Sequence, residues 1–538
     1  MSVPRPRMAP VAWFVWSLAA WSATGCATGT RYVRPAAPTQ TQYLPPATAG
    51  RNGNAAAAAP HITMGSGPPQ RWWTLLGSDE VDRLVMRALQ NNQSLAGAKA
   101  HLAAARERLR AARGAWYPQV DAAAGVQRTR FGATVLGPLA KDFPPFSAYA
   151  AGAEVSYDID LFGGTRAHVE QTAAAAQYRS AQLGAVALSV SGNVVIQALQ
   201  IATLRAQIRV VEQIVADDEH TLVLLRAARE AGAVSGMDVL SSQSQLDHDR
   251  TLLPPLHQGL SEAQDALAVL LGVAPSDAAV TNVELDALKL ADDLPLAVPS
   301  ELVRRRPDIG AAEAQLQAAG ASVGLATANL YPKFTLTASL GGEGLLGGGP
   351  SETAWNLLGG LTAPIFHGGA LKAERRAAQD EFRAAFAAYQ QTVLVAFSQV
   401  ASTLQAVGND ADSLNAQQLA LDSAGASLVL TRQAYASGNA GYIQVLDAER
   451  LHQQAQLGRV QADGQRYIDV VKLMLAAGGR TDVPSDLEHS KPGEMPAFAG
   501  TLSDADIADI IDYERSSWGN HGKPVTAAQV AAERASPR

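Results

Sequence analysis

The chain has 538 residues, a formal net charge of -7, 17% charged and 6% aromatic side chains, and one cysteine. Its length allows several domains, while the acidic balance offers no electrostatic footprint for nucleic acid. A single cysteine excludes a disulfide framework, and abundant alanine with few aromatics favours long helices with small side chains at their contacts.

The first 25 residues read as a signal: Arg5 and Arg7, a mostly apolar run from Met8 to Ala20, then Ala23-Thr24-Gly25 before Cys26. Cysteine directly after small residues resembles a bacterial lipobox, which implies cleavage before Cys26 and acylation of its thiol. An ordinary signal peptide with a chance cysteine is the alternative. In the lipoprotein family Ala27, standing where an aspartate would retain the protein, implies sorting to the outer membrane. Residues 26–70 lack periodicity and read as an extended tether. No later segment holds 18 uninterrupted apolar residues, so a membrane crossing would have to use strands.

From residue 71 the chain is a tandem duplication, with one copy over 71–290 and a second over 291–480. A helical tract starts at Ser78-Asp79, where Ser78 can cap. It carries an apolar seam at Leu95, Ala98, Leu102, Ala105, Leu109, Ala112 and Trp116, which recurs 214 residues later from Ile309 to Leu330. Both copies stop at Tyr-Pro, Tyr117-Pro118 and Tyr331-Pro332. Period-two alternation follows each stop and predicts strands over about 119–127 and 151–160, then over about 333–341 and 355–365. Each is apolar on one face and polar on the other, as for lipid outside and water inside, although a soluble sandwich would alternate alike. Four strands cannot close a barrel, and an open edge is not viable in lipid, so subunits would have to pool strands.

After each hairpin comes a proline-free helical tract, from Thr165 to Glu230 and from Ala370 to Ala436, each reaching roughly 100 Å at 1.5 Å per residue. The turns that follow align at an offset of 206, Gly232 with Gly438 and Val239-Leu240 with Val445-Leu446. A returning helix closes each half, interrupted in the first by Pro254-Pro255.

Taken in order, Tyr32-Val33-Arg34-Pro35, Trp72-Trp73, Tyr157-Asp158-Ile159-Asp160-Leu161-Phe162-Gly163, Arg306-Pro307-Asp308-Ile309, Ala312-Glu313, Leu330-Tyr331-Pro332 and Val445-Leu446-Asp447-Ala448 resemble the outer membrane factor family of TolC-like ducts. The resemblance spans about residues 26–480 and is strongest to the lipidated branch serving resistance-nodulation-division pumps. It implies a mainly α fold with transmembrane β: a homotrimer whose helical hairpins form an α-barrel, continued by a twelve-stranded β-barrel with four strands per chain. Implied partners are outer-membrane lipid, a periplasmic membrane-fusion adaptor and an inner-membrane pump. The family places its constriction at the turns of the long hairpins. Asp238, Tyr435 and Asp447 stand at its gate positions, while Gln444 replaces a second aspartate and Ala440 an arginine.

No catalytic constellation is visible, so the expectation is a passive exit duct, not an enzyme, without cofactor or metal. Residues 481–538 lie outside the repeat. Met495-Pro496-Ala497-Phe498 and the stretch to Trp518-Gly519-Asn520 resemble the end of a cytochrome c domain, in which Met495 would match the axial ligand. With no Cys-x-x-Cys-His in the chain, Met495 is expected to be a relic that binds no haem. The rival readings are a periplasmic coiled-coil scaffold lipoprotein without channel activity and, from the tail, an electron-transfer protein.

Overall fold

Ser78 opens the helical body by accepting a hydrogen bond from the Val81 amide at 3.3 Å, ahead of α1 (Asp79–Asn91). Asn92 then caps α2 (Gln93–Gly114) through Leu95, so the tract that reads as one helix bends into two at a second side-chain cap. The computed structural model describes residues 35, 42–44, 60–65, 67–130, 144–277, 281, 283–346, 352–479 and 526. Cys26, Met495 and nearly all of 481–538 lie outside the described residues.

Part of the expected tether is structured. Strand β1 (His61–Gly65) pairs in parallel with β4 (Asp293–Ala297), which opens the second repeat. Tyr43 donates to the Ala297 carbonyl at 2.7 Å, and Trp72 and Trp73 are fully buried just ahead of α1. The segment before the first repeat is thereby fastened to the start of the second.

The paired helices match in length, although the hairpin between them is eight residues shorter in the second half. Helix α2 corresponds to α7 (Pro307–Ala328) at an offset of 214, behind the short α6 (Pro299–Arg305). The long helices α3 (Gly164–Glu230) and α8 (Ala370–Ala436) each have 67 residues. The returning segment is α4 (Gly236–Arg250) plus α5 (Leu253–Leu270) in the first half and one continuous α9 (Tyr442–Ala476) in the second. Pro254 and Pro255 occupy the first turn of α5, where a missing N–H costs nothing, and the break falls just before them. One 18-residue window of α3 has a mean hydropathy of 1.6 with few charges, but more than half of it is buried inside the protein. It is a core helix, packed among α2, α5, α7 and α9.

Strands β2 (Gln119–Thr129), β3 (Phe146–Ile159), β5 (Lys333–Leu345) and β6 (Glu352–Thr362) form one antiparallel sheet in the order β2-β3-β5-β6. The two hairpins are thus joined through β3 and β5. Strand β3 begins five residues earlier than its alternation indicates, β5 ends four residues later, and β6 lies three residues earlier at both ends. Register carries one row, Val120–Val155–Ala338–Leu357, across the apolar face, and the next row, Asp121–Glu154–Ser339–Asn356, across the polar one. Among the described residues the apolar face has no cover, Val120 being 68% and Trp355 77% exposed, and strands β2 and β6 each have an unpaired edge.

Candidate gate at the hairpin turns

Both long helices end in the same turn. Gly232 and Gly438 adopt φ of 76° and 77°, and the amides of Ala233 and Asn439 return to the carbonyls of Ala228 and Ala434 at 2.9 and 2.8 Å. This is a Schellman closure, and its left-handed residue suits glycine because there is no Cβ to collide.

The returning helices begin three residues later at Ser235 and Gly441, and here the halves diverge. Ser235 Oγ accepts from the Asp238 amide at 3.2 Å while Asp238 Oδ2 accepts from the Ser235 amide at 2.9 Å and its hydroxyl at 2.8 Å. That reciprocal pair is a full capping box. At the equivalent place Gln444 Oε1 accepts from the Gly441 amide at 3.1 Å, and glycine returns no side-chain bond. Gln444 is therefore the repeat partner of Asp238.

Of the other gate positions, Asp447 is exposed one turn further along α9 and accepts from Arg450 at 2.8 Å. The Tyr435 ring lies 5.7 Å from that of Tyr442, and burial, then the nearby Asp238 charge, push its hydroxyl pKa up. Tyr435 and Asp238 thus share one end of the helical pair. Within one chain no hydrogen bond joins them among the described residues, because Asp238 is turned back onto Ser235.

Behind the turns Leu222, Leu225, Val239, Leu246, Tyr442 and Val445 form an apolar cluster, with Tyr435 packed on its rim. Three carboxylates that sequence reasoning missed lie on the same seam: Asp218, Asp249 and Glu449 are 7%, 3% and 6% exposed. Asp249 accepts from Gln245 at 2.9 Å, and Glu449 accepts from Arg432 at 2.8 Å. Burial, then the adjacent Asp249, push the Asp218 pKa up to about 8. Their signal was available, since Ile214, Asp218, Leu222 and Leu225 step by four, four and three, and Val239, Ser242, Leu246 and Asp249 by three, four and three. An acid at a seam position marks a buried charge. A second pair, Asp410 and Asp469, sits between α8 and α9, with the Asp410 pKa pushed up to about 7 by burial and by Asp469. Among the described residues, no three His, Cys, Asp or Glu side chains converge as metal ligands.

Known proteins share this architecture. The sequence profile of the outer membrane efflux protein family matches residues 84–273 and 298–479. The pyoverdine export outer membrane protein OpmQ of Pseudomonas aeruginosa is 31% identical over 414 residues, covering 76% of this chain and 87% of that protein. The probable outer membrane lipoprotein SilC of Salmonella typhimurium is 29% identical, covering 76% and 87% respectively. The solved outer-membrane channel OprN superposes with a TM-score of 0.77 at 26% identity, over 84% of this chain and 99% of that one.

Proposed function

The chain belongs to the outer membrane efflux protein family and is the outer-membrane channel of an efflux system, and we propose that it works as a homotrimeric exit duct gated at its hairpin turns. The observation that carries the oligomer is the four-stranded sheet, while the number three is what the family resemblance implies. An apolar face exposed on every strand needs lipid, and the edges of β2 and β6, free among the described residues, need partners. Sharing those edges among copies closes a barrel, and the long hairpins continue it on the periplasmic side. Acylation of Cys26 would add a second attachment to the outer membrane.

Members of this family are channels, and no step here requires bond chemistry. The energy comes from an inner-membrane pump, joined to the turns by a periplasmic adaptor. Asp238 and Asp447, repeated by symmetry, ring the constriction and favour cations, while Tyr435 beside Asp238 holds neighbouring hairpins together. Gln444 and Ala440 leave that ring thinner in charge. In this reading the repeats 71–290 and 291–480 make one two-fold body, and the tail 481–538 is an addition outside the repeat.

The test is extraction of the membrane fraction in detergent, sizing, and reconstitution in planar bilayers. A trimer that gives ion-conducting steps supports the duct. A monomeric elongated species that never conducts would favour a scaffold lipoprotein.

A further inference from the structure

The three buried carboxylates lie about a dozen residues from the turns on α3 and α4 and eight from it on α9, roughly 12 to 18 Å from the tip at 1.5 Å per residue. They occupy the seam where the α3–α4 hairpin meets the α8–α9 hairpin, directly behind the apolar cluster. Any dilation that swings one hairpin from the other must open this seam.

The seam is short of hydrogen-bond partners. Asp218 Oδ2 is buried with none, although Asp218 is within hydrogen-bonding reach of Asp249. The Tyr442 hydroxyl, on a residue only 5% exposed, reaches Ser242 and lies beside Glu449 and Asp218 without supplying Asp218 a donor. Two carboxylates at that separation are compatible only if they share a proton, because ionised carboxylates are acceptors only and repel. The facing charges do not remedy this. On α3 itself Asp217 adds a like charge. On α4 Asp249 is already bound by Gln245, while Arg250 is taken by Glu219. On α9 Glu449 is also negative, and Arg432 of α8, which reaches in, is spent on it.

We propose that Asp218 is a proton-sensitive latch of the duct: protonated, it donates to Asp249 and holds the two hairpins together; ionised, it forces the seam apart and biases the turns toward the open state. This inference rests on the duct reading. Its direction follows from the raised pKa. The proton stabilises the packed seam fully below the ordinary carboxylate value of 3.8, and that stabilisation is lost as pH rises toward about 8. Acid therefore keeps the turns shut and mild alkali loosens them.

The full chain in detergent, compared with Asp218→Asn, provides the test. Asparagine keeps the shape and can donate to Asp249 at every pH. Amide hydrogen exchange over residues 236–250 and 442–450, taken as the ratio of wild type to Asp218→Asn at each pH to cancel intrinsic rates, should be lowest at about pH 4 and rise at least ~10-fold by about pH 8.5. A ratio that stays flat overturns the latch, whether or not the protein conducts. In planar bilayers the wild-type open fraction should rise over the same interval while Asp218→Asn stays flat, and a retained response in the variant also overturns it. Asp249→Asn, which removes the facing charge, should move the wild-type transition to lower pH; an unmoved transition would detach Asp218 from Asp249. Failure of the duct reading is distinguishable, since it means no conductance from any variant at any pH.

Discussion

Arg226 and Arg432 occupy equivalent positions, 206 residues apart, on α3 and α8, and each reaches across to the returning helix of its own hairpin. Arg226 donates to Gln243 at 2.7 Å, while Arg432 donates to Glu449, the equivalent position, at 2.8 and 3.2 Å. The first contact is neutral at the acceptor and lies at the surface. The second places a charge in the seam shared with the other hairpin. Helix lengths and turn glycines stayed fixed through the duplication, because one changed residue there would put the two barrel segments out of step. The side chains between the helices were free to diverge, and they gave the second hairpin a buried charge at its seam and the weaker cap at its tip.

Glycine spacing gives the largest test of that contrast. A Cβ at Gly464 of α9 would collide with Thr203 of α3, whereas the equivalent residue in the first half, Gln258, is exposed. Gly464→Val should cost about 3 kcal/mol through overpacking and lower the thermal midpoint in detergent, while Gln258→Val should stay within about 0.5 kcal/mol. Equal losses would mean that the close approach of α9 is not peculiar to the second half.

Next in size are the paired arginines. Arg432→Ala leaves Glu449 buried without its donor and should cost about 1–2 kcal/mol, tempered because Arg432 is itself half exposed. Arg226→Ala should cost less than about 0.5 kcal/mol. The same thermal scans compare them, and a reversed order would undo the contrast. Glu449→Gln copies the first-half pair into the second. It removes a like charge facing Asp218, lowers the Asp218 pKa and keeps the seam less proton-dependent, so the exchange transition should shift to lower pH.

The smallest effects belong to the caps. Gly441→Ser completes the second capping box and should stabilise the α9 start by a few tenths of a kcal/mol, about the loss expected for Ser235→Gly in α4. Hydrogen exchange in the first turn of each helix reads both, and opposite signs are required.

The duplication, the apolar seam ending at two Tyr-Pro stops and the turn glycines were legible because each is a local or periodic pattern. Ile309 and Leu316 are buried as that seam requires. The β1–β4 ladder was not, since pairing His61 with Asp293 leaves no periodic trace in either segment. Strand ends slipped because pairing across the sheet, such as Phe146 with Thr129, extends β3 past the point where alternation is clear. At the tip, Gln444 read as a departure from a family pattern, but its structural sense is internal: it fills in the second half the capping position of Asp238 in the first. The proximity of Tyr435 to Asp238 follows from the hairpins meeting, which no single stretch of sequence encodes. Asp218 was passed over because an acid in the run Asp217-Asp218-Glu219 reads as solvated unless its place in the seam is counted.

Single-channel recording of the reconstituted full-length protein, with ion selectivity measured for wild type and Asp447→Ala, tests the central claim most directly. A constriction at the hairpin turns predicts conducting steps with a cation preference that falls when this exposed carboxylate is removed. Conducting steps with unchanged selectivity would take Asp447 out of the pore and contradict a gate at the turns.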